Sequence, residues 1–385
     1  MLAAILGMCL IAGVQSNPAP AASPAASQVP GYRISVPRVE LATSVTERKT
    51  GKPVLGLRAA DFRILDDGKP AALTNFEPTG HTRPLMVWLL FRNDYIDQKT
   101  LPRIEAEMPA ALKVLPDSAW VGVASYSMID SVLWLSPQPG RAAALAAIHR
   151  LVLANPDVPA QKPARKAGSD PSQSTTSPVT PAWVDREQVK HPYGHAFVDW
   201  GPSGGLQIIE KDWAAHRDPG FLPVVVLLSD DLSKDFIWSA RRQRDELLRD
   251  GLLVDVLEEP HGALSRSMAA MFKIYAPTGI PLSPGSQMYR YRYEAYLAKA
   301  TGGEVVAIKA HNYRNGFARV FRDLNAEYEL EFAPARINGK WHSISVSLQP
   351  DPEIRPSRYR IRVRQRYLAG SSASGSAPSS SAPAQ

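Results

Sequence analysis

Two histidines and an aspartate, each four residues apart, form the most suggestive constellation in the sequence. On a helix, His191, His195 and Asp199 would share one face, and two imidazoles with a carboxylate are a ligand set that zinc accepts. Pro192 and Gly194 lie between the histidines and oppose a regular helix there. A metal-dependent hydrolase built on these three residues is therefore the alternative hypothesis. We prefer to interpret the segment as a loop leading into a helix.

A second pattern is an alternation of arginines with mostly apolar or aromatic residues near the end of the chain. The arginines occupy every second position: Arg358, Arg360, Arg362, Arg364 and Arg366. In a single strand they would project from one face, in a row about 13 Å long at roughly 3.3 Å per residue. Such a row would bind an acidic envelope polymer, a lipid headgroup or an acidic protein. The simpler interpretation is a solvated sheet face that discourages edge aggregation.

Motifs for other kinds of catalysis do not occur at a useful position. The sequence has no Gly-x-Ser-x-Gly elbow, phosphate-binding loop or His-Glu-x-x-His pair there, and these are the commonest local signs of hydrolases and nucleotide enzymes. Its single cysteine, Cys9, lies in the N-terminal segment. Ser229-Asp230 follows a predicted strand, but no partner histidine can be assigned to the serine. We therefore expect no enzymatic activity.

Composition narrows the class of protein. The chain has 385 residues, of which 44% are hydrophobic and 21% charged, which suits a globular protein of two or three domains. A collagen-like or wholly disordered chain is excluded. The formal net charge is +7, from 44 basic and 37 acidic residues, and it favours anionic partners weakly. Because no recognition motif accompanies the charge, we expect no nucleic-acid partner.

The N-terminal segment indicates export. Residues 1–14, MLAAILGMCLIAGV, carry no charge and are fewer than the about 20 residues that a membrane-spanning helix needs. We interpret residues 1–16 as a signal peptide, with lipidation of Cys9 as the alternative, and expect a secreted or periplasmic protein without a transmembrane span after cleavage. Residues 17–30 and 368–385, rich in Ala, Pro and Ser, are predicted to be a disordered linker and tail.

The middle of the chain, residues 81–325, predicts an α/β domain with a doubly wound, mainly parallel sheet. Buried strands read as continuous apolar runs, and five are expected, at 85–91, 119–126, 221–228, 252–257 and 304–308. Helical spacing occurs between or after them, at 101–115, 141–153, 239–250, 289–300 and 316–324. Residues 155–193, rich in Pro, Ser, Thr and Lys, are predicted to form a long flexible insertion.

Alternating apolar and polar residues flank this domain on both sides, at 31–80 and 326–367, and alternation is typical of half-buried strands. Asp66-Asp67-Gly68-Lys69 predicts a hairpin turn in the first block. The simplest architecture joins the two blocks into one β-sandwich with the α/β domain inserted in it or flanked by it, since insertion is tolerated where the ends of a domain lie close together.

Several motifs occur in the same order as in a known family. They are Ser44-Val45-Thr46 with Gly51-Lys52-Pro53-Val54, Gly56-Leu57 with Asp61-Phe62 and Asp66-Asp67-Gly68, Leu227-Leu228-Ser229-Asp230, Leu297-Ala298 with Thr301-Gly302-Gly303, and Tyr328-Glu329-Leu330 with Arg364-Gln365-Arg366-Tyr367. From residue 31 to residue 367, the sequence resembles the von Willebrand factor A-related proteins of the secreted acidobacterial type. The resemblance implies a binding module rather than an enzyme.

A-type domains commonly hold Mg²⁺ at a metal-ion-dependent adhesion site, through Asp-x-Ser-x-Ser, a loop threonine and a further aspartate. Against that pattern, this sequence has Phe91 in place of the principal carboxylate, Asn93 and Tyr95 in place of the serines, and His195 in place of the threonine. Asp230 matches the further aspartate. The resemblance therefore implies a degenerate site.

The carboxylates that remain near this site are Asp94, Asp230 and Asp231. They offer at most a weak Mg²⁺ site, so we expect no metal and no other cofactor. Together, these observations predict an exported, non-catalytic binding or adhesion-type module. Its partner would be a protein or an anionic envelope polymer, contacted by Phe91, Asn93, Asp94, Tyr95, His195 and Asp230. A structural envelope component that binds anionic polymer through the arginine row is a further alternative.

Overall fold

The computed structural model describes residues 38–79, 83–93, 99–127, 130–155, 202–229, 237–259, 293–350 and 354–370. Its strands are β1 Val39–Glu47, β2 Phe62–Asp66, β3 Lys69–Ala71, β4 Leu73–Glu77, β5 Leu85–Arg92, β6 Trp120–Tyr126, β7 Ser131–Pro139, β8 Leu222–Ser229, β9 Leu253–Glu258, β10 Val305–Ala307, β11 Tyr328–Phe332, β12 Lys340–Leu348, β13 Tyr359–Arg362 and β14 Arg366–Ala369. Its helices are α1 Thr100–Leu112, α2 Arg141–Ala154, α3 Pro202–His216, α4 Ile237–Asp250, α5 Tyr293–Thr301 and α6 Tyr313–Leu324. The predicted signal peptide, the predicted linker, the insertion beyond Asn155 and the tail beyond Gly370 lie outside the described residues. Leu368 and Ala369, predicted to begin the disordered tail, instead belong to β14.

The central sheet has the strand order β10-β9-β8-β5-β6-β7, with β7 antiparallel and the other pairs parallel. Helices α1, α2 and α6 cover one face and α3, α4 and α5 cover the other. Residues of β5 alternate between these two cores, because successive side chains of a strand point to opposite faces of the sheet. Leu89 packs on the first face and Trp88 on the second. The predicted fold class, a doubly wound and mainly parallel sheet, is confirmed.

Strand β7 was not among the predicted strands. It lies at the edge of the central sheet and ends in Pro137-Gln138-Pro139. Proline cannot donate a ladder hydrogen bond, so it is confined to edge strands, where one side of the strand needs no partner. The prolines that make this segment resemble a turn are therefore compatible with its edge position.

Two four-stranded antiparallel sheets form the β-sandwich, with strand orders β13-β1-β11-β4 and β14-β12-β2-β3. Both sheets mix strands from before and after the α/β domain: β1 pairs with β11 and β13, and β2 pairs with β12. One apolar core lies between them, formed by side chains from both sheets, including Leu41, Phe62, Leu330 and Ile344. The expected joining of the two β blocks around the α/β domain is thus present.

The predicted hairpin between β2 and β3 is also present. Asp67 and Gly68 form its two-residue turn, with φ of 47° and 77°. Positive φ at both central positions is the backbone of the type I′ turn, whose twist matches that of the flanking strands. Asp is one of the few residue types other than Gly that tolerate this conformation.

The single strand expected over residues 358–367 is wrong. Residues Pro356–Arg358 form a 3-10 turn, β13 belongs to one sheet of the sandwich, and β14 belongs to the other. The five arginines therefore do not form one row on one strand face. The alternation of side chains could not predict the bend at residues 363–365, where the chain passes from one sheet of the sandwich to the other.

A cluster of buried charges joins β13 to the α/β domain. The Arg362 side chain is 10% exposed and contacts Glu304, at the start of β10, and Asp323, at the end of α6. Its Nη2 also donates to Ser44 Oγ of β1, at 2.7 Å. A close backbone approach supports the same joint, since a Cβ at Gly302 would lie 2.8 Å from the backbone nitrogen of Arg364.

Burial raises the pKa values of the carboxyl groups in this joint. The pKa of Asp255 rises to about 6, that of Asp323 to about 7 and that of Glu327 to about 8. The Arg362 guanidinium lowers each of these pKa values, but less than burial raises them. The joint therefore places more acidic groups around one buried guanidinium than that cation can compensate.

Candidate functional site

The carboxyl edge of the central sheet contains a topological switch point. Strand β5 lies between β6 and β8, so the connections that leave the carboxyl ends of β5 and β8 diverge to opposite faces. In doubly wound sheets, the crevice at such a point is where ligands bind. Three described polar residues lie at the carboxyl ends of neighbouring strands. Asn93 follows β5, Ser229 is the last residue of β8, and Glu259 follows β9.

Of the residues predicted from the sequence to line this edge, the structure describes Asn93 and Phe91. Asn93 lies at the end of β5, as expected. Phe91 does not line the edge, which corrects that prediction: it is 1% exposed, and its ring packs 6.1 Å from that of Phe317 on α6. An apolar ring one residue before the end of a buried strand is more stable in the core than at the surface. Asp94, Tyr95, His195 and Asp230, together with His191, Asp199 and Asp231, lie outside the described residues.

Asn93 is held by the end of helix α2. Its backbone N–H donates to Tyr126 O at 2.7 Å, which continues the β5–β6 ladder by one residue. Asn155 Nδ2 donates to the backbone oxygen of Asn93 at 3.0 Å and to its Oδ1 at 2.7 Å. Asn155 is 3% exposed. Asn93 is therefore fixed by a buried amide.

Glu259, the residue after β9, is the centre of a second polar group at this edge. Its Oε1 accepts a hydrogen bond from Thr100 Oγ1 at 3.1 Å and another from the Tyr313 hydroxyl. His311 Nδ1 lies 3.5 Å from the same oxygen. Burial, followed by the bond to Glu259, raises the pKa of Tyr313 above its ordinary value, so the phenol stays protonated and acts as a donor.

The backbone beside this group is unusual. Ala310 and His311 have φ values of 52° and 54°, a region that residues other than Gly seldom adopt and that is enriched at functional sites. The His311 side chain is 40% exposed, whereas that of Glu259 is 10% exposed. The imidazole therefore lies between a buried carboxylate and solvent at the carboxyl edge.

Sequence analysis missed the Glu259 group because its members are far apart in the chain. Thr100 and Glu259 are 159 residues apart, and Glu259 and Tyr313 are 54 residues apart. No spacing rule connects such positions. A usable signal was that Glu259 lies two residues after the buried strand predicted at 252–257, at the edge to which parallel strands bring polar residues.

Ser229 is anchored in the same region. Its Oγ donates to Glu294 Oε1 at 2.9 Å, and both residues are 2% exposed. The serine hydroxyl thus bonds to a carboxylate of α5. Among the described residues, this edge holds hydroxyl, amide and carboxyl groups that hydrogen-bond to one another, with the His311 imidazole beside them.

The five arginines of the predicted row have different environments. Arg358 and Arg360 are exposed, and Arg362 is buried in the charged joint. Arg364 donates to Glu40 O at 2.5 Å, and the Arg366 guanidinium lies over the Trp341 ring, 5.6 Å from its centroid. Three of the five therefore have specific contacts within the protein.

Comparison with known proteins gives structural neighbours only. No family model and no curated protein matches the chain. A von Willebrand factor type A protein from Catenulispora acidiphila aligns with 11% identity and a TM-score of 0.38, over 88% of this chain and 75% of that one. The manganese-loaded TRAP protein of Plasmodium vivax aligns with 11% identity and a TM-score of 0.35, over 76% and 96%.

A third neighbour is an aerotolerance-related membrane protein from Bacteroides fragilis, with 12% identity and a TM-score of 0.36, over 63% of this chain and 98% of that one. At these values the neighbours bear on neither the activity nor the partners of this chain. In the part of the chain that the structure describes, no helix is both long enough and apolar enough to cross a bilayer.

Proposed function

We propose that this chain is an exported, non-catalytic recognition module that binds a protein or an anionic polymer of the cell envelope through the carboxyl edge of its central sheet. The observation that carries the proposal is the hydrogen-bonded polar edge at the switch point. Asn155 fixes Asn93, and Thr100 and Tyr313 fix Glu259. Polar groups held in place before a partner arrives lose less freedom on binding.

In this proposal the carboxyl edge binds its partner without a metal ion. Phe91 supplies no oxygen ligand and is buried in the apolar core. Mg²⁺ requires near-octahedral oxygen ligands. Export is supported by the uncharged apolar segment at residues 1–14. A zinc-dependent hydrolase using His191, His195 and Asp199 is the competing function.

Site-specific photo-crosslinking tests the proposal. A photoreactive residue replaces His311, whose side chain is 40% exposed at the carboxyl edge. A matched control replaces Asp117, whose side chain is 98% exposed and which lies before the amino end of β6. Each full-length protein is irradiated with the cell-envelope fraction of its source, with and without EDTA, and unlabelled protein serves as competitor.

We expect a discrete, competable adduct from position 311 that persists in EDTA and is absent from position 117. Equal adducts from both positions would overturn the assignment of the edge. An adduct that EDTA abolishes would show that capture requires a metal. Loss of hydrolytic activity toward envelope polymer in the variant His191→Ala/His195→Ala would favour the competing enzyme.

A further inference from the structure

A second group of chemically active side chains lies in the β-sandwich, away from the carboxyl edge. Asp66 ends β2, Asp67 begins the hairpin turn, and His342 lies on β12. Asp66 is 6% exposed and His342 is 5% exposed. One ligand atom from each of the three side chains lies within 4.8 Å of the other two. Neither the central sheet nor the proposed function involves this group.

The hydrogen bonds of Asn338 decide which nitrogen of His342 carries a proton. The backbone N–H of Lys340 donates to Asn338 Oδ1 at 3.0 Å, which identifies that atom as the amide oxygen. His342 Nε2 lies 3.1 Å from the same oxygen. Because an amide oxygen only accepts, Nε2 must be the protonated nitrogen. The lone pair of a neutral His342 is therefore on Nδ1.

That Nδ1 faces two carboxylates. It lies 2.8 Å from Asp67 Oδ2 and 3.6 Å from Asp66 Oδ1. The backbone N–H and the hydroxyl of Ser343 both donate to Asp67 Oδ1, at 2.9 and 3.0 Å. These bonds lower the pKa of Asp67 and leave Oδ2 directed at the imidazole.

Asp66 provides a second observation at this site. Its Oδ1 is buried and has no hydrogen-bond partner among the residues that the structure describes. An unpaired buried carboxylate oxygen is costly. Three electron-pair donors thus converge, and the nearby donor hydrogen is that of the Tyr367 hydroxyl, which faces Asp66 and likewise has no hydrogen-bond partner among the described residues.

We propose that Asp66, Asp67 and His342 bind a zinc ion in the sandwich. An imidazole with carboxylates is a ligand set for Zn²⁺, whereas Mg²⁺ and Ca²⁺ prefer oxygen ligands throughout. Tetrahedral zinc with bonds of about 2.0–2.2 Å places its ligand atoms roughly 3.4 Å apart. The observed separations of 2.8 and 3.6 Å bracket that value.

The outer contacts match those of a metal site. Metal-bound imidazoles donate their other N–H to an oxygen, and bound carboxylates accept further hydrogen bonds. Asn338 fills the first role and Ser343 the second. The ion would connect the β2–β3 turn to β12, so zinc is expected to stabilise the sandwich rather than to act in catalysis.

Zinc titration of the full-length, tag-free protein tests the site. The protein is stripped with chelator, and zinc binding is followed by calorimetry and thermal melting. We expect one ion per chain at this site and, at about 100 times the dissociation constant, a rise in the melting temperature of about 5 °C. Both effects should be lost in His342→Gln, and the affinity should fall roughly tenfold in Ser343→Ala.

The variant His191→Ala/His195→Ala is the matched control, because it removes the other predicted zinc ligands and should leave this site intact. X-ray absorption of the zinc-loaded wild-type protein adds a readout that needs no substitution, and we expect one imidazole in the first shell. Absence of binding, unchanged binding in a folded His342→Gln variant, or two imidazoles around the metal would each overturn the proposal. Absence of binding would assign the contact to a protonated His342 paired with Asp67.

Discussion

Buried acidic side chains lie at both ends of the strands of the central sheet: at the amino edge, where the parallel strands begin, and at the carboxyl edge, where they end. The two edges supply these acids with different partners. At the amino edge, Arg362 comes from the sandwich and contacts Glu304 and Asp323 of the α/β domain. At the carboxyl edge, Glu259 accepts hydrogen bonds from Thr100 and Tyr313, which belong to the α/β domain itself. The first edge is a joint between the sandwich and the α/β domain, whereas the hydrogen bonds of Glu259 lie within the α/β domain.

Buried carboxyl groups have different kinds of partner at the two edges. At the carboxyl edge, neutral hydroxyl donors satisfy one acid. At the amino edge, the buried Arg362 guanidinium faces four acids, Asp255, Glu304, Asp323 and Glu327. The part-exposed Arg319 contacts two of them, Glu304 and Asp323. Burial raises the pKa values of three of them. We therefore expect the joint to be sensitive to charge and pH, and the carboxyl edge to be sensitive to individual hydrogen bonds.

The largest expected effect comes from removing the cation of the joint. Arg362→Ala should lower the free energy of unfolding by about 3–5 kcal/mol, because it removes the buried counter-charge of these carboxylates. Of the four, Glu304 and Asp323 would keep only their contacts with the part-exposed Arg319. The control Arg360→Ala lies on the same strand but is exposed, and it should cost less than about 0.5 kcal/mol. Urea unfolding measures both, and equal midpoints would show that the joint does not depend on this ion cluster.

The pH dependence of the joint should be the next largest effect. The pKa of Glu327 is about 8 in the folded protein, against an ordinary value of 4.5. Below pH 4.5 the group is protonated in both states. As the pH rises toward 8, the unfolded chain loses this proton first, so the contribution of Glu327 to stability is lost progressively.

Glu327→Gln removes this loss. Relative to the wild type, it should be nearly neutral at pH 5 and stabilising by on the order of 4 kcal/mol at pH 9. Thermal melting across this pH range measures the difference. Asp117→Asn, at a side chain that is 98% exposed, should show no such trend. A parallel pH profile for Glu327→Gln and the wild type would contradict the prediction.

At the carboxyl edge, Tyr313→Phe should cost about 1–3 kcal/mol. It removes a hydroxyl that donates to the buried Glu259 carboxylate, and hydrogen bonds to charged groups lie in this range. Tyr359→Phe on the sandwich is the control and should be close to neutral. If chemical denaturation shows no difference between the two variants, the Glu259 group is not a stabilised element of the edge.

The smallest effect expected on stability is that of Asn155→Ala, at about 1 kcal/mol for the lost bonds to Asn93. Because these bonds fix Asn93, the residue after β5, the variant should also weaken crosslinking from position 311 to the envelope partner. Unfolding midpoints and adduct yields are compared in the same preparation. An unchanged yield would show that recognition does not use the Asn93 segment.

The sequence by itself determined the fold class of this protein. Apolar runs such as residues 85–91 and 221–228 predicted strands covered on both faces, and the helical periods between them indicated a doubly wound sheet. The Asp-Gly pair at 67–68 likewise predicted its hairpin, because few other residues accept positive φ. These are local properties, since each follows from neighbouring residues.

Only the tertiary structure determined which side chains distant in the sequence contact one another. The arginine alternation at 358–366 fits one strand locally, yet the chain bends between sheets and sends Arg362 into a charged joint with Glu304. Glu259 with Tyr313, and His342 with Asp67, are pairs separated by 54 and 275 residues. Contact between such distant positions depends on strand order and register, which hydrophobic periodicity does not encode. The sequence could therefore indicate the carboxyl edge as a site, but not the group that forms it.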